Sequence, residues 1–183
     1  MRGQKTREKI MEAAIKVISN ETIEGLSTRK VSSEAKVNLA AIHYHHRSKE
    51  GMLIDLSRYI IIKYVFPTFE DLYKNPREPK EFVMNLFEKA FQLFEKRPDV
   101  VRTLVYLWLH GTKNRRIKDI LVTGKQEFME KCIDVLEENM STKRAKKVIS
   151  RTLSILIGML MDALITNERP PQKELNELAG RLS

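Results

Sequence analysis

Apolar positions recur at helical spacing along most of the chain. Ile10, Ala13, Ala14, Val17 and Ile18 fall at i, i+3, i+4, i+7 and i+8, the stripe of one amphipathic helix. Gly25-Leu26-Ser27 interrupts it. Ser27 is a good N-cap for a short second helix with Val31 and Ala35 turned inward. Asn38 is placed to cap a third helix with Ile42 inward, and Ser48 a fourth from about Lys49 to Val65. Pro67 is expected to end that helix or to follow its end. Asn75-Pro76-Arg77-Glu78-Pro79 reads as a loop. Phe82, Val83, Leu86, Phe87, Ala90, Phe91 and Phe94 mark the next helical face. Beyond Pro98, the stretch Val100 to His110 is apolar almost all round, which predicts a buried helix. A turn at Gly111 to Asn114 precedes a long helix through Ile117, Ile120, Leu121, Phe128, Cys132 and Val135. Another runs from about Thr142 to Thr166. Pro170-Pro171 is expected to open a last short helix carrying Leu175, Leu178, Ala179 and Leu182. With no strand alternation, repeat or low-complexity tract, the pattern predicts an all-α chain of about nine helices.

Charge adds a partner class to this picture. Lys and Arg number 33 against 24 Asp and Glu, a net charge of +9 over 183 residues, so polyanions are expected partners, nucleic acid before anionic membrane. The apolar fraction of 42% is ordinary for a globular core. The lone Cys132 excludes an internal disulfide framework and reads as a small apolar residue. Met1-Arg2-Gly3-Gln4-Lys5 has no signal-peptide character. The longest apolar run, Leu153 to Ile165, is interrupted by Asp162 and falls short of the roughly 20 residues a bilayer crossing needs. The expected location is cytoplasmic, with no membrane partner.

Within this frame, Ser27 to His46 stands out. Two short helices around the turn Lys36-Val37-Asn38 must cross steeply, the geometry of a helix-turn-helix. The second of the pair would enter the major groove by its N-terminal residues. Thr28, Arg29, Lys30, Tyr44 and Lys49 cluster where phosphates would lie. On pattern alone, a plain helical bundle is an equal alternative.

Gly25-Leu26-Ser27-Thr28-Arg29-Lys30-Val31, then Ala35-Lys36-Val37, then Ile42-His43-Tyr44-His45-His46-Arg47-Ser48-Lys49-Glu50 resembles the signature of the TetR family of transcriptional regulators over roughly Arg7 to Leu56. The resemblance implies a DNA-binding domain over residues 1–48. It also implies a larger helical ligand-binding and dimerisation domain over 49–183. It implies that Thr28 and Arg29 touch phosphate with a base also in reach, that Leu39, Ala40 and Ala41 face bases, that Tyr44 and His45 reach phosphates or base edges, and that His43 stands at a phosphate-contact position. Lys49 would bring its ammonium and a helix N-terminus to a phosphate. Leu39, Ala40 and Ala41 can meet thymine methyls but offer no side-chain hydrogen bonds.

Three positions depart from the family pattern. Lys36 stands where glycine is usual; a left-handed backbone there would cost a non-glycine residue about 1–2 kcal/mol. His43 replaces the usual tyrosine. His46 replaces an apolar residue, so it is either buried with a partner or turned outward. As metal ligands the histidines are poorly arranged: only His43 and His46 share a helix face, with no acidic or cysteine ligand beside them. No metal and no cofactor is expected.

For the larger domain, the resemblance implies inducer binding and dimerisation. Leu153 to Ile165 is apolar on too many sides for a one-sided surface helix, and Gly158 and Ala163 permit close helix approach. It either pairs with its copy in a homodimer or is buried within the chain. Phe87, Phe91, Tyr106, Trp108, Phe128 and Met161 are candidate pocket residues for a small apolar or aromatic inducer, with core packing as the plainer reading of each. His110 and Asp162 are placed either to orient such a ligand or to meet solvent. The expected function is a sequence-specific repressor released from a pseudo-palindromic operator in double-stranded DNA by an inducer. The alternatives are a nonspecific architectural DNA binder and a helical enzyme. For the last, the chain shows no nucleophile–base pair, metal motif or phosphate loop, so no catalytic residue is assigned.

Overall fold

The computed structural model describes residues 2–74 and 78–183, the side chain of Arg2 excepted. The loop expected at Asn75-Pro76-Arg77 lies outside the described residues. Ten α-helices are formed among the described residues, nine if the continuous run from Lys49 to Phe69 is counted once, and there is no strand. They are α1 (Arg2–Glu21), α2 (Thr28–Ala35), α3 (Leu39–His46), α4 (Lys49–Ile60), α5 (Phe66–Phe69), α6 (Pro79–Lys96), α7 (Pro98–Gly111), α8 (Arg115–Leu136), α9 (Thr142–Thr166) and α10 (Gln172–Leu182).

The chain divides into two compact units. The first is Met1–Lys63 with Asp99–Val122, the second Tyr64–Pro98 with Thr123–Ser183. The boundary expected at residue 48 falls inside the first unit, at the cap of α4.

In the first unit, α1 packs against α2, α3 and α4. Its stripe of Ile10, Ala14, Ile15 and Ile18 is wholly buried, and Val31, Ile42, Met52 and Leu56 close around it. Burying an aliphatic side chain of this size contributes about 1.5–3 kcal/mol, so this cluster holds the small helices in place. Residues of α7 belong to the same unit. The Thr103 hydroxyl donates to the Ile15 carbonyl (3.2 Å), and Arg102 donates to the Ser19 hydroxyl (3.3 Å).

In the second unit, the aromatic face of α6 packs against α9 and α10. Phe82, Phe87 and Phe91 are fully buried, facing elements that contribute Val148, Ile149, Leu175 and Ala179 to the core. Arg169 ties the region together by donating to Glu88 (2.5 Å) and Glu95 (3.4 Å).

Pro67 follows the end of the helical run expected from about Lys49 to Val65, and two other expectations are corrected. The chain continues from α4 through a π-turn (Ile61–Val65) into α5 and a 3₁₀ turn (Glu70–Tyr73). Pro67 sits in the first turn of α5, where a missing N–H sacrifices no intrahelical bond, and buried Phe69 and Leu72 anchor the segment beyond it. The Pro170-Pro171 pair precedes α10 instead of opening it, with Pro171 as its N-cap residue. Helix α7 is not buried all round: Val100, Val101 and Leu107 are, but Leu109 is 59% exposed.

Helix α9 also revises the bilayer argument. The helix is 25 residues long, and an 18-residue window has a mean hydropathy of 1.8, enough by length and composition to cross a membrane. Counting only the uninterrupted apolar run missed this. Its contacts are those of a half-buried helix. Thr152, Leu153, Leu156 and Ala163 face inward, whereas Ile157, Met161 and Ile165 are exposed. Ala163 therefore serves internal packing, and only Gly158, with open space around it, lies on the outer face.

Candidate nucleic-acid interface

Helices α2, α3 and α4 each begin with a side-chain cap. Ser27 accepts from the Lys30 amide (3.2 Å), Asn38 from the Ala40 amide (2.9 Å) and Ser48 from the Gly51 amide (3.0 Å). Such caps satisfy amides that a helix leaves open, each contributing about 1 kcal/mol. They fix where α2, α3 and α4 start, and so which residues of α3 face out.

Helix α3 is held from behind by Ile42 and His46, both buried. This leaves Ala40, His43 and Tyr44, at i, i+3 and i+4, on the outer face. Tyr44 is 83% exposed. Leu39, Ala41 and His45 are half-buried on its flanks, and the rings of Tyr44 and His45 meet edge-on at 5.1 Å. Thr28 is half-buried at the start of α2, and Arg29 beside it is exposed with no hydrogen bond or ion pair among the described residues. Lys49 donates to the Glu24 carbonyl (3.3 Å). Lys30 pairs with Glu21, so part of the expected basic cluster is already neutralised within the protein.

The turn between α2 and α3 is left-handed at Lys36 (φ 53°, ψ 46°). The Lys36 amide bonds back to Ser33 (3.2 Å), the Val37 amide to Ser32 (3.1 Å), and the Ser32 hydroxyl to the Val37 carbonyl (2.7 Å). The turn is thus formed despite the Cβ penalty. Lys36→Gly is expected to stabilise the chain by about 1 kcal/mol, raising Tm by about 2–4 °C in a thermal melt. An unchanged or lower Tm would mean the penalty is absent.

His46 resolves to the buried alternative. Its ring is fully enclosed, with Nδ1 2.8 Å from an oxygen of Asp55. A carboxylate only accepts, so Nδ1 carries the proton and donates. Nε2 makes no hydrogen bond among the described residues. Burial holds the imidazole pKa below its ordinary value, outweighing the opposing pull of Asp55. The same carboxylate meets Arg7 from α1 (3.3 Å) and Arg58 (3.8 Å). Asp55 thereby joins α1, α3 and α4, a role the sequence reading missed. The available signal was an imidazole at an apolar position, which needs a nearby carboxylate. Among the described residues no three His, Cys, Asp or Glu side chains gather as a metal site.

The candidate ligand residues do not gather in one place. Phe87, Phe91 and Phe128 are buried in the second unit, while Met161 (44% exposed) and Asp162 lie on the outer side of α9. Tyr106, Trp108 and His110 belong to the first unit, Trp108 being 36% exposed. Around Phe128 the structure adds residues not singled out from sequence. Phe69 and Tyr73 pack edge-on against its ring, at 4.9 and 6.2 Å. The buried Tyr73 hydroxyl has no hydrogen-bond partner among the described residues.

Residues 10–56 match the family described as bacterial regulatory proteins, tetR family. The HTH-type nicotine-responsive transcriptional repressor HdnoR of Paenarthrobacter nicotinovorans is 31% identical over 176 residues, covering 92% of this chain and 89% of that protein. The chain belongs to the TetR family of transcriptional regulators. A TetR transcription regulator from Haloarcula marismortui shares the fold, with a TM-score of 0.80 at 15% identity over 98% of this chain and 96% of that one. The HTH-type transcriptional repressor NicS of Pseudomonas putida is 24% identical over 124 residues. That match spans 63% of this chain and only 56% of NicS. As a TetR-family member, this protein is a DNA-binding transcriptional regulator with an N-terminal helix-turn-helix and a helical C-terminal region.

Proposed function

We propose that this TetR-family protein is a cytoplasmic homodimeric repressor, and not an enzyme, that binds a pseudo-palindromic operator through α3 and leaves it when a small apolar or aromatic inducer binds. Residues 1–48 are the DNA-binding domain in this reading and residues 49–183 the regulatory and dimerisation domain. The observation that carries it is the α3 surface. Its inner side is locked by Ile42 and His46, and its outer side presents Ala40, His43 and Tyr44 with unpaired Arg29 nearby. That is the arrangement a major-groove helix needs, a rigid back and a free front flanked by phosphate-seeking charge. Thr28, Arg29, His43, Tyr44, His45 and Lys49 take phosphate-side roles, and Leu39, Ala40 and Ala41 face the bases.

Two further observations support the rest. The outer stripe of Ile157, Gly158, Met161 and Ile165 on α9 is the kind of surface a two-fold partner covers. The aromatic nest of Phe69, Tyr73 and Phe128, with a hydroxyl lacking a partner, suits an aromatic ligand carrying one acceptor. The similarity to a nicotine-responsive repressor supports the same ligand class.

Selection of bound duplexes from a random pool tests the reading. A two-fold motif with half-sites about one helical turn apart is expected. A pool without any enriched sequence would leave only nonspecific, architectural binding. On the selected duplex, Lys49→Ala should weaken binding to all sequences alike and reduce the salt slope by about one unit.

A further inference from the structure

Helix α9 begins with the wrong charges for a helix. Helix N-termini carry a partial positive charge and favour acidic side chains. Here the first turn holds no acidic residue, and Lys143, Arg144, Lys146, Lys147 and Arg151 crowd the first ten positions. Lys143, Lys147 and Arg151 follow one another at i, i+4 and i+8, a spacing at which like charges repel. The N-cap residue Ser141 makes no side-chain cap bond, so the opening amides of α9 lack that partner too.

The end of α10 adds to this charge. Arg181 faces a hollow of about 380 Å³ shared with Ser141, Lys143, Arg144, Lys147 and Arg151. No carboxylate side chain and no aromatic ring lines it. Arg144 is already engaged, donating to a main-chain oxygen of Ser183, the last residue of the sequence, which also lines the hollow (3.2 Å). None of Lys143, Lys147, Arg151 and Arg181 has a hydrogen bond or ion pair among the described residues. An arrangement that opposes the stability of its own helix is a mark of a site kept for a ligand.

We propose that this hollow between the start of α9 and the end of α10 is a binding site for a compact multivalent phosphate-bearing anion. Its volume suits a small molecule. Its lining recognises charge rather than a ring, because it offers cationic donors and a hydroxyl but no stacking surface. The site lies in the second unit and uses none of the residues assigned to operator or inducer. Phosphate groups reach a protein either in small phosphate esters or in a nucleic-acid backbone. The small volume and the absence of stacking rings favour the former.

Calorimetric titration of the full chain with pyrophosphate, at constant ionic strength, tests this. Saturable binding at one site per chain is expected. Lys143→Gln, Lys147→Gln and Arg151→Gln together should weaken it by about tenfold or more while leaving helix content by circular dichroism and affinity for duplex DNA unchanged. Arg181→Gln removes one lining cation without altering α9 and should weaken binding in the same direction. Lys49→Ala, in the head, should leave pyrophosphate binding intact. Three results would overturn the proposal: no saturable heat; undiminished binding in both variants; or a loss of duplex affinity in the triple variant matching its loss of pyrophosphate, which would make the patch a DNA contact.

Discussion

A chain carrying Ile157→Glu and Met161→Glu is expected to sediment as a monomer and to bind its operator about 100-fold or more weakly than the parent. Ile157 and Met161 are 45% and 44% exposed on α9, and Ile165 a turn further on is 80% exposed. Gly158 between them has open space where a Cβ would stand, so a second helix can approach closely. Exposed apolar side chains scattered singly mean little, but these recur along one helix face whose opposite side is core. A two-fold interface would count each substitution twice and set four carboxylates against an apolar surface. A monomer can occupy only one half-site and loses the local concentration that tethering gives, commonly a factor of about 10²–10⁴. Sedimentation and a gel-shift series on the selected operator check both parts. A variant still dimeric at the parent's concentration would place the interface elsewhere.

Asp55→Ala is expected to lower the stability of the chain by about 2 kcal/mol, because it leaves the buried Nδ1–H of His46 without an acceptor. It also frees Arg7 and Arg58, though such partly exposed ion pairs contribute little by themselves. Chemical denaturation at pH 7.5 measures the loss. A pH dependence accompanies it. Burial depresses the folded-state pKa of His46 below the ordinary 6.5, so below that pH the unfolded chain binds the proton more readily than the folded one. The stabilising contribution is full above about pH 6.5 and is lost as pH falls through the folded pKa. The parent should therefore weaken on acidification in this window, and His46→Leu, which has nothing to protonate, should lack that component. An identical acid profile in parent and His46→Leu would show that other groups set it.

What the sequence made legible was local. The caps at Ser27, Asn38 and Ser48 could be read because each bond spans two or three residues, and a cap needs only the right side chain before the right stripe. The bounds of α9 matched the reading at both ends although Ser141 makes no side-chain cap bond. The helical continuation beyond Pro67, with Phe69 and Leu72 buried, was not legible, because no local pattern records which residues find a core. The exposure of Leu109 was misread because an apolar stretch does not say which of its faces finds a neighbour. At the candidate site, the start of α3 and its inward Ile42 followed from the Asn38 cap and the apolar stripe, but which residues face out did not, since Leu39 and Ala41 are half-buried. The partner of His46 did not, since the Asp55 contact arises only when α3 and α4 close on each other. The second-unit aromatic nest was half seen: Phe128 stood on a legible stripe, but Phe69 and Tyr73 lie beyond Pro67, where no helix was expected.

The interleaving of the two units bears on how such a chain can be recombined. The first unit takes residues 1–63 and then 99–122, with 64–98 belonging to the second. The Ile15 carbonyl in α1 takes its hydrogen bond from Thr103, more than eighty residues away. A fusion that joins the first 48 residues to a foreign sensor would separate α1 from α7, which closes that part of its core. The transplantable cassette is discontinuous, so a working chimera needs the 99–122 segment to travel with the head, or a host segment already shaped to replace it.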